Sequence, residues 1–86
     1  MNKDYYWEYQ TIGVNIGRFR RERGMTQEEL AEAVGLSPDY ISHLEAKGTA
    51  KAPSLDTLIA IAKVLEVPLF RLVMMEGEEE KYGITQ

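Results

Sequence analysis

The sequence predicts an all-α fold, a compact five-helix domain, on three observations. Gly24, Gly35, Gly48, Pro53 and Pro68 divide the chain into pieces of helical length. Apolar residues inside those pieces recur every three or four positions, as one face of a helix requires. No piece sustains the every-second-residue alternation of a half-buried strand.

The first helix is read from Tyr5, Tyr9, Ile12, Ile16 and Phe19, which line one face and carry the helix to about Arg23. Gly24 is placed to close it in the left-handed conformation. Gly13 and Gly17 each cost a helix up to about 1 kcal/mol relative to alanine, so the start of this helix is left open between Tyr5 and Ile12. Thr26-Gln27-Glu28-Glu29 is a capping box, in which the threonine oxygen accepts from the amide three residues on and Glu29 reaches back. A short second helix follows, turns Leu30, Ala31 and Val34 inward, and stops at Gly35.

Ser37-Pro38-Asp39 starts a third helix, with a serine cap, a proline where no amide donor is needed, and an acid in the first turn. It runs to about Ala46. Ser54 caps a fourth, with Leu55, Leu58, Ile61, Ala62 and Leu65 as the expected inward stripe, and Pro68 opens a fifth through Leu69, Leu72 and Val73. Residues 1–11 read as an aromatic extension, 12–75 as the domain, and 76–86 as an acidic tail.

Composition narrows the function. Of 86 residues none is cysteine, which removes disulfides, thiol nucleophiles and cysteine metal sites, and suits a reducing, cytoplasmic setting. Residues 1–10 lack the apolar core of a signal peptide, and the longest apolar run, Leu72 to Met75, is far below the roughly 18 residues of a membrane span. The net charge of −4 argues against a nonspecific polyanion binder, yet the negative excess gathers at the C-terminal end and leaves the middle free to present a local basic face.

Helices 2 and 3, joined by a turn of about four residues from Val34 to Ser37, form a tight corner. Ala31 supplies the small residue where they cross and Gly35 the positive φ of the turn. Ile41 and Leu44 hold helix 3 against helix 2, so Asp39, Tyr40, Ser42 and His43 point outward.

At Gln27, Ala31, Gly35, Ile41, Leu44 and Glu45, together with Ile12-Gly13, Thr26 to Ala31 and Pro53 to Leu58, the chain resembles the phage repressor and Cro helix-turn-helix proteins, also called Xre-like. The likeness covers residues 12 to 72. It implies a third helix that enters the major groove of double-stranded DNA, with helix N-termini and polar side chains on phosphates. Pro38, Asp39 and His43 match the family's base readers, with Ser37, Tyr40 and Ser42 beside them. Gln27 matches a residue that bonds phosphate and buttresses the recognition helix. Lys47, Thr49 and Lys51 lie in a loop that touches the backbone, and Arg20 and Glu45 match a structural ion pair between helices 1 and 3. The pattern also departs from the family's: proline donates nothing to a base, Asp39 accepts only from a cytosine amino group, and the Ala46 to Ala52 loop has lost arginines found in relatives.

Other residues carry competing readings. His43 and Asp39, one turn apart, are an orienting pair for catalysis, a surface contact, or part of the DNA face; the surface and DNA readings outweigh catalysis, and no second histidine supports a metal. Arg18, Arg20, Arg21 and Arg23 are a phosphate clamp or a helix end favourable to the dipole. Tyr5, Tyr6, Trp7 and Tyr9 extend the core, stack on bases or bury in a dimer contact. Phe70, Val73, Met74 and Met75 exceed one inward stripe, as an association surface does.

The expectation is thus a sequence-specific DNA-binding transcriptional regulator, a repressor acting by occupying promoter DNA. It pairs as a homodimer through helix 5, the aromatic N-terminus or both, and needs no cofactor, metal, small-molecule ligand or membrane. The alternative is a protein-interaction module of the same fold, antitoxin-like or regulator-binding, with little affinity for DNA.

Overall fold

The computed structural model describes residues 3–48 and 51–75. A 3₁₀ turn at Lys3–Tyr5 leads into α1 (Tyr6–Glu22), followed by α2 (Gln27–Val34), α3 (Pro38–Glu45), α4 (Leu55–Leu65) and α5 (Leu69–Val73). Local sequence explains most of the boundaries. The capping box forms in both directions, Glu29 N–H donating to Thr26 Oγ1 at 3.0 Å and Thr26 N–H to Glu29 Oε1 at 2.8 Å. Ser37 and Ser54 cap α3 and α4 by accepting from Tyr40 N–H and Thr57 N–H, each at 3.1 Å.

The ends of α1, α2 and α4 share one device. At Gly35 (φ +72°) the chain turns left-handed, and the Leu36 amide reaches back to the Ala31 carbonyl at 2.9 Å. Gly24 does the same after α1, with Met25 N–H donating to Arg20 O. At the end of α4 the left-handed residue is Glu66 (φ 59°), a position that favours glycine, and its carboxylate pairs with Arg23 at 2.8 Å. Both partners are exposed, so the ion pair contributes about 0–1 kcal/mol.

One core joins all five helices: Ile12, Ile16 and Phe19 of α1, Leu30 and Ala31 of α2, Ile41 and Leu44 of α3, Leu58, Ile61, Ala62 and Leu65 of α4, and Leu72 of α5. Each large member contributes roughly 1.5–3 kcal/mol of burial. Two expected members lie outside it. Leu55 is 62% exposed because it begins the first turn of α4, beyond the reach of the neighbouring helices, and Tyr5 is likewise exposed because it precedes α1 in the 3₁₀ turn. The α1 stripe begins at Tyr9, which packs partly against the core.

Gly13 and Gly17 do not interrupt α1. Instead they let it approach α3: a Cβ at Gly13 would run into the Leu44 carbonyl, and one at Gly17 would lie 3.2 Å from a Glu45 carboxylate oxygen. The backbone of one helix rests directly on the other, and that contact fixes where α3 stands.

Buried Asn15 clamps α5. Its Nδ2 donates to the Leu72 carbonyl at 3.0 Å and to the Met74 carbonyl at 2.6 Å, satisfying acceptors at the end of a five-residue helix that cannot stabilise itself. Asn15→Ala therefore strands two carbonyls. A loss of about 1–3 kcal/mol in urea unfolding is expected, with the earliest amide exchange in residues 69–74; a loss confined to a few tenths would show that α5 holds by apolar contact alone.

Candidate nucleic-acid interface

The exposed side of α3 is set by what its other side must do. Ile41 and Leu44 are committed to the core, which turns Pro38, Asp39, Ser42 and His43 to solvent and leaves Tyr40 half-buried. The Ser37 side chain is used in the cap. Among the described residues nothing pairs Asp39 with His43, and no three His, Cys, Asp or Glu side chains gather as a metal site would require. The α3 surface therefore presents a proline and three polar side chains, with its N-terminal end capped by Ser37.

Lys51 lies over the Tyr40 ring, its Nζ 5.2 Å from the ring centroid, which brings the far end of the α3–α4 loop beside the outward face of α3. Lys47 is exposed at the near end, and Thr49 lies outside the described residues. The loop is held from an unexpected quarter. Gln10, on α1, accepts from Gly48 N–H at 2.9 Å and donates weakly to the Ala46 carbonyl at 3.4 Å, while Tyr6 Oη donates to the same Gln10 oxygen at 2.9 Å. Sequence reasoning missed Gln10 and Asn15. Each side chain's target is 36 or more residues away, so no local spacing marks it.

Behind α3, Glu45 gathers three donors. Arg20 meets it in a two-pronged bridge, Nε to Oε2 at 2.8 Å and an amino group to Oε1 at 2.9 Å, and the third Arg20 nitrogen donates to the Met25 carbonyl at 2.7 Å. The Gln27 amide donates to Oε1 at 3.0 Å. The two charged side chains are only 11% and 8% exposed, and Gly17 vacates the space that the carboxylate fills. The Glu45 bond raises the Arg20 guanidinium above the usual arginine range, against the opposing pull of burial. A cation whose proton is held more tightly in the folded state stabilises fully at all lower pH and loses that effect only above the arginine range, so Arg20 is a fixed charge at any working pH.

The four arginines do not act as one unit. Arg18 lies over the Phe19 ring at 4.3 Å and pairs with Glu22 at 3.7 Å, Arg20 is spent inside, Arg23 meets Glu66, and Arg21 is exposed, on the Gly17 side of α1. Packing on the Phe19 ring half-buries Arg18 and sets it apart from the exposed Arg21.

Two short capped helices at a glycine corner, the second with its outer face bare among the described residues and its inner face locked by an ion pair, define a helix-turn-helix domain. The helix-turn-helix family model matches residues 16–72. The chain belongs to this family, in its phage repressor and Cro-like branch. An uncharacterised helix-turn-helix-type transcriptional regulator, y4dJ of Sinorhizobium fredii, is 42% identical over 67 residues, covering 78% of this chain and 84% of that protein. The immunity repressor of Bacillus phage phi105 is 39% identical over 69 residues, 80% of this chain but 44% of the repressor, so the likeness is to part of a longer protein. The crystal structure of SinR, the master regulator for biofilm formation, in complex with DNA superposes with a TM-score of 0.68 at 33% identity, covering 73% of this chain and 98% of that one. Among the described residues no helix is long and apolar enough to cross a membrane.

Proposed function

We propose that this chain is a sequence-specific, double-stranded DNA-binding transcriptional regulator that reads the major groove with α3, acts as a homodimer on a two-fold site, and represses by occupying promoter DNA. The observation that carries the reading is the α3 face left uncovered among the described residues, Pro38, Asp39, Ser42 and His43, with Tyr40 and Lys51 at its margin. A relative that is an immunity repressor, others that are transcriptional regulators, and a similar fold solved with DNA support it.

In this reading the first two amides of α2 and the Asp39 amide of α3 face phosphate, Ser37 and Gln27 stand at those ends, and Lys47, Thr49 and Lys51 add backbone contacts. Gln27 takes its orientation from Glu45, which couples the phosphate grip to the ion pair. Asp39 accepts from cytosine and rejects bases that present only acceptors there. Each monomer contributes few cations, so two copies, with recognition helices about 34 Å apart, supply the affinity.

Binding to a site selected from a random DNA pool tests this. His43→Ala should relax preference at one base position and weaken the selected site by roughly 1–3 kcal/mol, with the helical circular dichroism unchanged, whereas Lys51→Ala should weaken all sequences alike and reduce the log–log salt slope by about one. Specificity untouched by His43→Ala removes that residue from the reading face. No selected site and a flat salt response would favour the protein-interaction module, for which the exposed Trp7 and Val14 on α1 are the specific observation.

A further inference from the structure

The outer face of α1 carries a stripe that the DNA reading does not use. Trp7, Thr11, Val14 and Arg18 are spaced four, three and four residues apart, which keeps them within about 60° around the helix over a rise of about 16 Å. Trp7 is 75% and Val14 43% exposed. With Gln10, Asn15 and Met75 the four residues line one shallow groove of about 300 Å³. The spacing reads the same from either end. A two-fold axis crossing α1 at the middle of the stripe sets Trp7 opposite Arg18 of a second copy and Thr11 opposite Val14, and repeats both contacts by symmetry.

These pairs are chemically complementary. The Arg18 guanidinium already lies over Phe19, 4.3 Å from the ring centroid, and reaches Glu22 and Asn15 beside it, so an indole arriving from a second copy would add a second aromatic ring to a cation that is held in place. The two β-branched residues at the centre are short enough for helices to approach within the usual 8–10 Å. The four-three-four spacing is that of a helix-pairing seam. A self-complementary patch is what an isologous contact needs, and a tryptophan that enters a partner's groove is the usual centre of such a contact.

We propose that α1 pairs antiparallel with α1 of a second copy along Trp7, Thr11, Val14 and Arg18, and that this is the homodimer contact. The proposal rests on the two-copy part of the function proposed above and not on DNA recognition. It assigns the exposed apolar face of α1 to a second copy of this chain rather than to a different protein.

The chain has no cysteine and a single tryptophan, which makes the test direct. Sedimentation of the full chain across a dilution series should show a dimer dissociating, with Trp7 emission moving to longer wavelength at the same midpoint. Trp7→Phe and Val14→Glu, both at exposed positions, should raise the dissociation constant about tenfold or more while keeping the helical spectrum. Under mild oxidation, Thr11→Cys chains mixed with Val14→Cys chains should form the mixed disulfide in preference to either like pair. A dimer that survives both substitutions, or an absence of preference for the mixed disulfide, overturns the α1 seam and leaves the two-copy reading intact. A monomer throughout the series overturns both, and the salt dependence of DNA binding then decides separately whether the regulator reading stands.

Discussion

Gly13→Ala is expected to cost about 3 kcal/mol or more, although the same change in an exposed helix stabilises by up to about 1 kcal/mol. The added methyl would occupy the position of the Leu44 carbonyl, a backbone atom with no rotamer to escape into. Relief requires α1 and α3 to separate, which opens the core around Ile16, Ile41 and Leu44. Domains of this size have only about 5–15 kcal/mol in hand, so a large fraction of the stability goes with one methyl. Urea unfolding of Gly13→Ala beside Gly17→Ala makes the measurement. Gly17 faces the ends of the Arg21 and Glu45 side chains, so its variant should lose less. A Gly13→Ala protein as stable as the parent would mean that the two helices do not touch as described.

Arg20→Met should cost about 3–5 kcal/mol, because it leaves the Glu45 carboxylate buried with only the Gln27 amide as a donor. Removing both charges, Arg20→Met with Glu45→Met, should recover a substantial part, since two apolar side chains of similar length avoid the desolvation that the bridge had to overcome. A double-mutant cycle isolates the coupling, expected at about 1–3 kcal/mol. A single-variant loss below about 1 kcal/mol would place the bridge with ordinary surface pairs. The double variant is informative for binding too: Gln27 loses its acceptor, so DNA affinity should fall even where stability is restored.

Features written within a few residues were legible from the chain. The Thr26–Glu29 box, the Ser37 and Ser54 caps and the Gly35 turn each depend on neighbours in sequence, and the inward face of α3 follows from Ile41 and Leu44 alone. Arg20 and Glu45, 25 residues apart, came from family resemblance rather than from spacing. What stayed hidden was long-range. Gly13 reads as a helix cost in isolation and becomes a requirement only when the Leu44 carbonyl is set against it. Periodicity marked the faces of α1 and α4 correctly but could not say where the neighbouring helices end, which is why Tyr5 and Leu55 were counted as core. The outward residues of α3 were identifiable as outward; what they touch is a property of a second molecule.

Gln10 has a consequence for how the molecule responds to events at its front end. Its single oxygen receives both Tyr6 from the first turn of α1 and Gly48 from the loop after α3, so the opening turn of the chain and the segment that borders the reading helix share one latch. Unwinding the first two turns of α1 releases that segment, and anything that firms up those turns steadies it. By reciprocity, an occupant that immobilises Gly48 must in return steady the turns that carry Tyr6 and Gln10.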